Sequence, residues 1–161
     1  CKLKMAAKDG VCTIDEVTEV KCDPHKFYEM MKYSLHHLPT IYPEGYTDCQ
    51  ILEGDGKSEG SVRSWKYILP GQTDEMLVKC RTVKQDDENM MVSFYVEEGH
   101  LHSEYKHMQV TVQVFPKGEE GSLVKWTVEF EKHHDGIADP HAYLEIFKNL
   151  NQKVDAHVHK E

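Results

Sequence analysis

From residue 11 to residue 21 the chain sets Val11, Thr13, Val17 and Val20 among acidic side chains, with no glycine or proline, a pattern that predicts a strand with one polar face. Cys22-Asp23-Pro24 changes the geometry. The Asp23 carboxylate is suited to accept from the first N–H groups of a helix, and Pro24 suits its first position because proline has no N–H to leave unpaired. Phe27, Met30, Met31 and Leu35 then recur at the three-to-four spacing of an amphipathic helix, and a second short helical piece is predicted over 36–41, ahead of Pro43. From Tyr46 onward the period falls to two. Strands are predicted over 46–53, 61–69, 73–84, 89–98, 102–115 and 122–132, separated by turn chemistry such as Pro70-Gly71 and the segments 86–89 and 116–121. After Asp139-Pro140, a second cap and first-position proline, Tyr143, Phe147, Leu150 and Val154 form one apolar stripe on a long helix.

Alternation along each strand assigns faces. Arg63, Trp65, Tyr67 and Leu69 share one, and Val92, Phe94 and Val96 another. Met108, Val110, Val112 and Val114 share a third, and Val124, Trp126, Val128 and Phe130 a fourth. If these faces point inward, they meet the stripe of the last helix. The predicted class is α+β, an antiparallel meander covered by a long C-terminal helix, with two short helices after the first strand. A sheet with one wet face and a single helix on the other either collapses to a packed core or curves around a void, and alternation does not choose between them.

The chain has 161 residues, which predicts one domain over 11–161, with 1–10 as a disordered extension. Its net charge of −9 comes without any Lys/Arg block, which disfavours nucleic acid and anionic membrane surfaces as partners. No apolar run approaches the 18 or so residues needed to span a bilayer. The expected partner is a hydrophobic small molecule, and the expected state a monomer. The first residues lack the apolar core of a secretory signal, and the five cysteines are odd in number, widely spaced and without a C-x-x-C pair. Reduced thiols in the cytoplasm are therefore expected.

The segment 54–60 contains Gly56-Lys57-Ser58, which raises a phosphate-loop reading. Spacing rejects it, since Ile51 stands where the earlier glycine is required and a strand rather than a helix follows; Asp55 and Glu59 would also repel phosphate. The dinucleotide fingerprint G-x-G-x-x-G is missed by one residue. Eleven histidines invite a metal reading, yet no H-E-x-x-H or 2-His-1-carboxylate spacing occurs, and adjacent histidines on a strand point to opposite faces. Neither a metal nor any other cofactor is expected.

Several strings carry a family resemblance. The run 54–62 followed by Trp65-Lys66-Tyr67 resembles the glycine-rich loop and W-x-Y strand of the major-latex-protein-like family, plant relatives of the birch-pollen-allergen fold. The segments 96–101, 125–132 and 139–144 are similar to patterns of the same family, and the resemblance runs collinearly over about 11–157. It implies a seven-stranded curved antiparallel sheet gripping the last helix around a forked internal cavity that takes apolar or amphipathic ligands. Binding of a plant metabolite, hormone or lipid is the implied function. The alternative it implies is a cofactor-free cyclase or isomerase acting on a reactive terpenoid, iridoid-type, or alkaloid intermediate.

Within that frame, ligand contacts are expected from Arg63, Trp65, Tyr67, Phe94, Val96, Val110, Val112, Trp126, Tyr143 and Phe147. Aromatic residues at this spacing also suit a plain core, whereas around a cavity Tyr and Trp offer both a stacking face and a hydrogen bond. Arg63 needs partners if buried; it is either paired within the protein or an anchor for a ligand carboxylate or enolate. His100 and His102 share the parity of Val110 and Val112 if no bulge intervenes, which would set them at the cavity mouth as a catalytic acid or base. The competing reading leaves both as rim histidines in water.

Overall fold

The protein is described by a computed structural model covering residues 11–33, 35–118 and 121–159, so the extension expected over 1–10 lies outside the described residues. β1 (Cys12–Val20) leads into α1 (Pro24–Tyr33), a 3-10 turn (Leu35–His37) and α2 (Leu38–Ile41). Then come β2 (Tyr46–Glu53), β3 (Val62–Tyr67), β4 (Met76–Asp86), β5 (Met91–Gly99), β6 (Tyr105–Pro116), β7 (Ser122–Lys132) and the long α3 (His141–His159). The strands form one antiparallel sheet in the order β1-β7-β6-β5-β4-β3-β2. β2 to β7 are the predicted meander, and β1 closes on its last strand.

Local chemistry accounts for the elements. Asp23 caps α1, its Oδ2 accepting from the N–H groups of His25 at 3.0 Å and Lys26 at 3.3 Å. Met108, Val110, Val112 and Val114 on β6, and Val124, Trp126, Val128 and Phe130 on β7, are all buried, as their parity predicts. The loop over 54–60 is organised by Asp55, whose Oδ1 accepts from the Lys57 and Ser58 N–H groups at 2.8 Å each. The hydroxyls of Ser58 and Ser61 add to it, and these bonds, the Lys57 amide foremost, hold the Asp55 carboxyl well below the usual carboxylate range. The amides that a phosphate would need are thus already held by the chain's own anion.

One departure from the predicted strands matters for function. Strand pairing between β5 and β6 stops at Tyr95↔Gln109, and Gly99 adopts φ 139°, where a Cβ would stand 2.3 Å from the Leu77 carbonyl oxygen. Only glycine allows this approach to β4. The chain then makes a 3-10 turn over His100–Ser103, and β6 starts at Tyr105 rather than at residue 102.

α3 buries Leu144, Ile146, Phe147, Leu150 and Val154. Its backbone lies closest to β1 and β7 on the sheet, and to α1 and α2 beside it. The last turns are tied down by Asp155, which accepts from the Lys21 N–H at 3.0 Å and the Cys22 N–H at 2.9 Å, where β1 hands over to α1. Ser122 Oγ donates to the Cys22 carbonyl at 2.6 Å and completes the clamp.

Two outcomes are expected from these contacts. Asp155→Ala should lower stability in urea by about 1–3 kcal/mol with the m-value unchanged, since it leaves two amides without their charged acceptor. Because the Asp55 pKa is depressed on folding, its contribution is complete above the usual carboxylate value of about 4 and fades as pH falls toward the folded-state pKa. The stability gap between the wild type and Asp55→Ala, followed by urea titration from neutral to acid pH, should therefore stay constant down to about pH 5 and shrink below about 4.

Candidate functional site

Where α3 stands away from β3, β4 and β5, a cavity of about 90 Å³ lies between sheet and helix. Trp65 and Tyr67 of β3, Val78 and Cys80 of β4, and Phe94 and Val96 of β5 form its sheet wall, continued by Met108, Val110 and Trp126. Tyr143, Ile146, Phe147 and Leu150 face them from α3, and Leu35, Leu38, Tyr46 and Leu101 close the ends. Trp65, Cys80, Phe94 and Tyr143 are only half-buried although they sit on the inner surface, because part of each faces the void.

The wall is almost wholly hydrocarbon and aromatic. Trp126 stacks on Phe147 with ring centroids 4.2 Å apart and planes inclined by 14°, while its Nε1 donates to Asn151 Oδ1 at 2.8 Å and is thereby satisfied away from the void. Burial pushes the Cys80 thiol up to about 12, so it remains a thiol at neutral pH and a poor nucleophile. The polar feature that crosses the cavity is a pair of phenols. Tyr67 and Tyr143 share one hydrogen bond, 2.5 Å between oxygens, with their rings edge to face. Burial raises both pKa values above the ordinary tyrosine range, and the pair stays neutral.

A second, broader depression lies outside this pair, about 830 Å³ on the same measure. Asp74, Glu75, Glu104 and Asp139 contribute carboxylates to its lining, together with His100, and Tyr143 belongs to both spaces.

The structure brings the residues singled out above to this wall, with corrections. Arg63 and Val112 do not line the cavity. Arg63 is 2% exposed, and its Nη2 donates to the Gly56 carbonyl beneath the 54–60 loop, while burial lowers its pKa. Its partner is a backbone oxygen of the protein. Val112 lies toward the end of β6 that α1 covers and is fully buried. The turn after Gly99 breaks the parity of His100 and His102 with Val110, so that neither lines the cavity, although His100 lines the outer depression beside it. His100 Nδ1 accepts from the Leu77 N–H at 2.9 Å, and His102 Nε2 lies 3.0 Å from the Val96 carbonyl, to which it donates. Both imidazoles brace the turn from outside the cavity.

Other wall residues were not anticipated as such. Val78 and Cys80 share an inward parity with buried Thr82 on β4, a pattern masked by the charged residues between them. Ile146 adjoins the stripe of α3 one position off the chosen spacing. Leu35, Leu38 and Tyr46 enter only because α1 and α2 fold back over the end of the sheet, which local pattern does not encode. Among the described residues, no three His, Cys, Asp or Glu side chains converge in a way that could hold a metal ion. No described helix is long and apolar enough to cross a membrane.

Comparison with known proteins agrees with this architecture. MLP-like protein 43 of Arabidopsis thaliana is 33% identical over 153 residues, which cover 94% of this chain and 96% of that protein. MLP-like protein 34 of Arabidopsis thaliana is 33% identical over 147 residues, covering 91% of this chain but 46% of the relative, so the chain spans about half of that longer protein. Among solved structures, the ginseng major latex-like protein 151 from Panax ginseng superposes with a TM-score of 0.86 at 33% identity, covering 92% of this chain and 97% of that one. Norcoclaurine synthase from Thalictrum flavum shares the fold, with a TM-score of 0.79 at 18% identity over 94% of this chain and 88% of its own. The model of the pathogenesis-related protein Bet v 1 family matches residues 10–161, and the chain belongs to that family, among its major-latex-protein-like members.

Proposed function

We propose that the protein binds one hydrophobic or amphipathic plant small molecule, a specialised metabolite, hormone or lipid, in the cavity between β3–β5 and α3. The observation that carries this reading is a pocket between sheet and helix whose lining is apolar and aromatic. Protein interiors normally fill to a packing density of about 0.74, and each wall atom facing empty space forgoes dispersion contacts that a ligand would restore. Apolar burial then contributes about 25 cal/mol per Å² removed from water. Cytoplasmic residence is part of the proposal, supported by Cys22, Cys49 and Cys80, which form no disulfide.

The cofactor-free cyclase or isomerase has less to support it. Its proposed acid and base, His100 and His102, are engaged with Leu77 and Val96 on the outer side of the wall. The likeness to norcoclaurine synthase extends to the fold alone at 18% identity.

Both tryptophans of the chain line the cavity, so intrinsic fluorescence reports its occupancy. Titration with the neutral dye N-phenyl-1-naphthylamine should quench or shift that emission at about one molecule per chain, and native mass spectrometry of protein purified from its own tissue should find a retained small molecule. Saturation at no defined stoichiometry would count against an internal site. Phe147→Ala, with its fold checked by circular dichroism, should weaken dye binding by removing the ring that stacks on Trp126. Lys57→Ala, on the solvated loop, should leave the affinity unchanged.

A further inference from the structure

We infer that the Tyr67–Tyr143 pair is the polar end of the binding site, and that its ligand is an uncharged molecule with an apolar body and one hydrogen-bond-accepting oxygen, a carbonyl above all, turned toward the outer depression. The inference rests on the cavity reading and narrows it to a chemical class.

Two hydroxyls that share one hydrogen bond use one of their two hydrogens. Among the described residues neither phenol oxygen has another partner, so one O–H of the pair remains to be given to a ligand. Elsewhere on the wall Tyr46 and Trp65 also carry a donor, but neither borders the outer depression. Trp126 Nε1 is taken by Asn151, and Arg63 is held by Gly56 away from the void. A bare hydrocarbon offers that hydrogen no acceptor, whereas a carbonyl oxygen accepts it.

Position follows from connectivity. Tyr143 lines both the cavity and the outer depression, and Tyr67 reaches it from β3, so the pair lies at the boundary between the two spaces. The ligand oxygen therefore sits at that boundary, with the hydrocarbon body inward toward Leu38 and Leu150. Charge selects in the same direction. A carboxylate-bearing ligand would face Asp74, Glu75 and Glu104, Asp139 being paired with Lys132, and then meet two neutral phenols and no cation on the wall.

The test compares three probes of one shape: tetralin, 1-tetralone and the carboxylate 1,2,3,4-tetrahydro-1-naphthoate, titrated by tryptophan fluorescence or calorimetry. They are run against the wild type and the double variant Tyr67→Phe/Tyr143→Phe, the double change being needed because either phenol alone could still donate. The double variant should lose about 3- to 10-fold in tetralone affinity while tetralin affinity holds or rises, and tetralone should exceed the carboxylate by about 10-fold or more in the wild type. Near-ultraviolet circular dichroism and retained tetralin binding show that the double variant is folded. Equal shifts for tetralone and tetralin would overturn the assignment of the phenols while leaving the cavity reading in place. Carboxylate binding as tight as tetralone would overturn the uncharged class, and failure of all three probes to bind the wild type would defeat the cavity reading itself.

Discussion

One helix has to cover the inner face of a seven-stranded sheet, and the rest of the molecule follows from how it does so. α3 has 19 residues, about 28 Å of helix, and a side-chain diameter of about 10 Å. That is too narrow to touch every strand of a sheet whose neighbours are spaced about 4.8 Å apart. The helix settles on β1 and β7, where Asp155 locks it to the β1–α1 junction and Ser122 of β7 holds that junction from the sheet side. Its N-terminal half is left facing β3, β4 and β5 across a gap. Large aromatic side chains reach into that gap from both sides but do not fill it, which is how a hydrophobic pattern suited to an ordinary core yields a cavity instead.

This arrangement explains what could be read from sequence and what could not. Strand positions were legible because a period of two with turn residues between runs is a local signal; β2 begins and ends as predicted, at Tyr46 and Glu53. The choice between void and packed core depends on where a distant helix comes to rest, and no local pattern carries that information. The parity of His100 and His102 failed for a definite reason. The contact that diverts the chain, Gly99 against the Leu77 carbonyl, joins positions far apart in sequence, and Gly99 looks like any turn glycine until β4 is beside it. Arg63 shows the opposite case. Its inward parity and need for a partner were both readable, yet the partner proved to be the Gly56 carbonyl of a neighbouring loop rather than a ligand.

The two ends of the structure therefore carry different burdens. Around β1, β7 and the last turns of α3, buried aliphatic side chains and the Asp155 clamp hold the fold, with Val124, Val128 and Val154 fully buried. Around β3 to β5 and the first turns of α3, the principal directional contact across the gap is the single bond between two phenols, worth only about 1 kcal/mol net as a neutral hydrogen bond. A ligand oxygen at that boundary takes the O–H that this bond leaves over, so a hydrogen bond is added while the ligand's apolar body leaves water. The phenol pair that joins helix and sheet across the gap is then also the group that selects the ligand's oxygen.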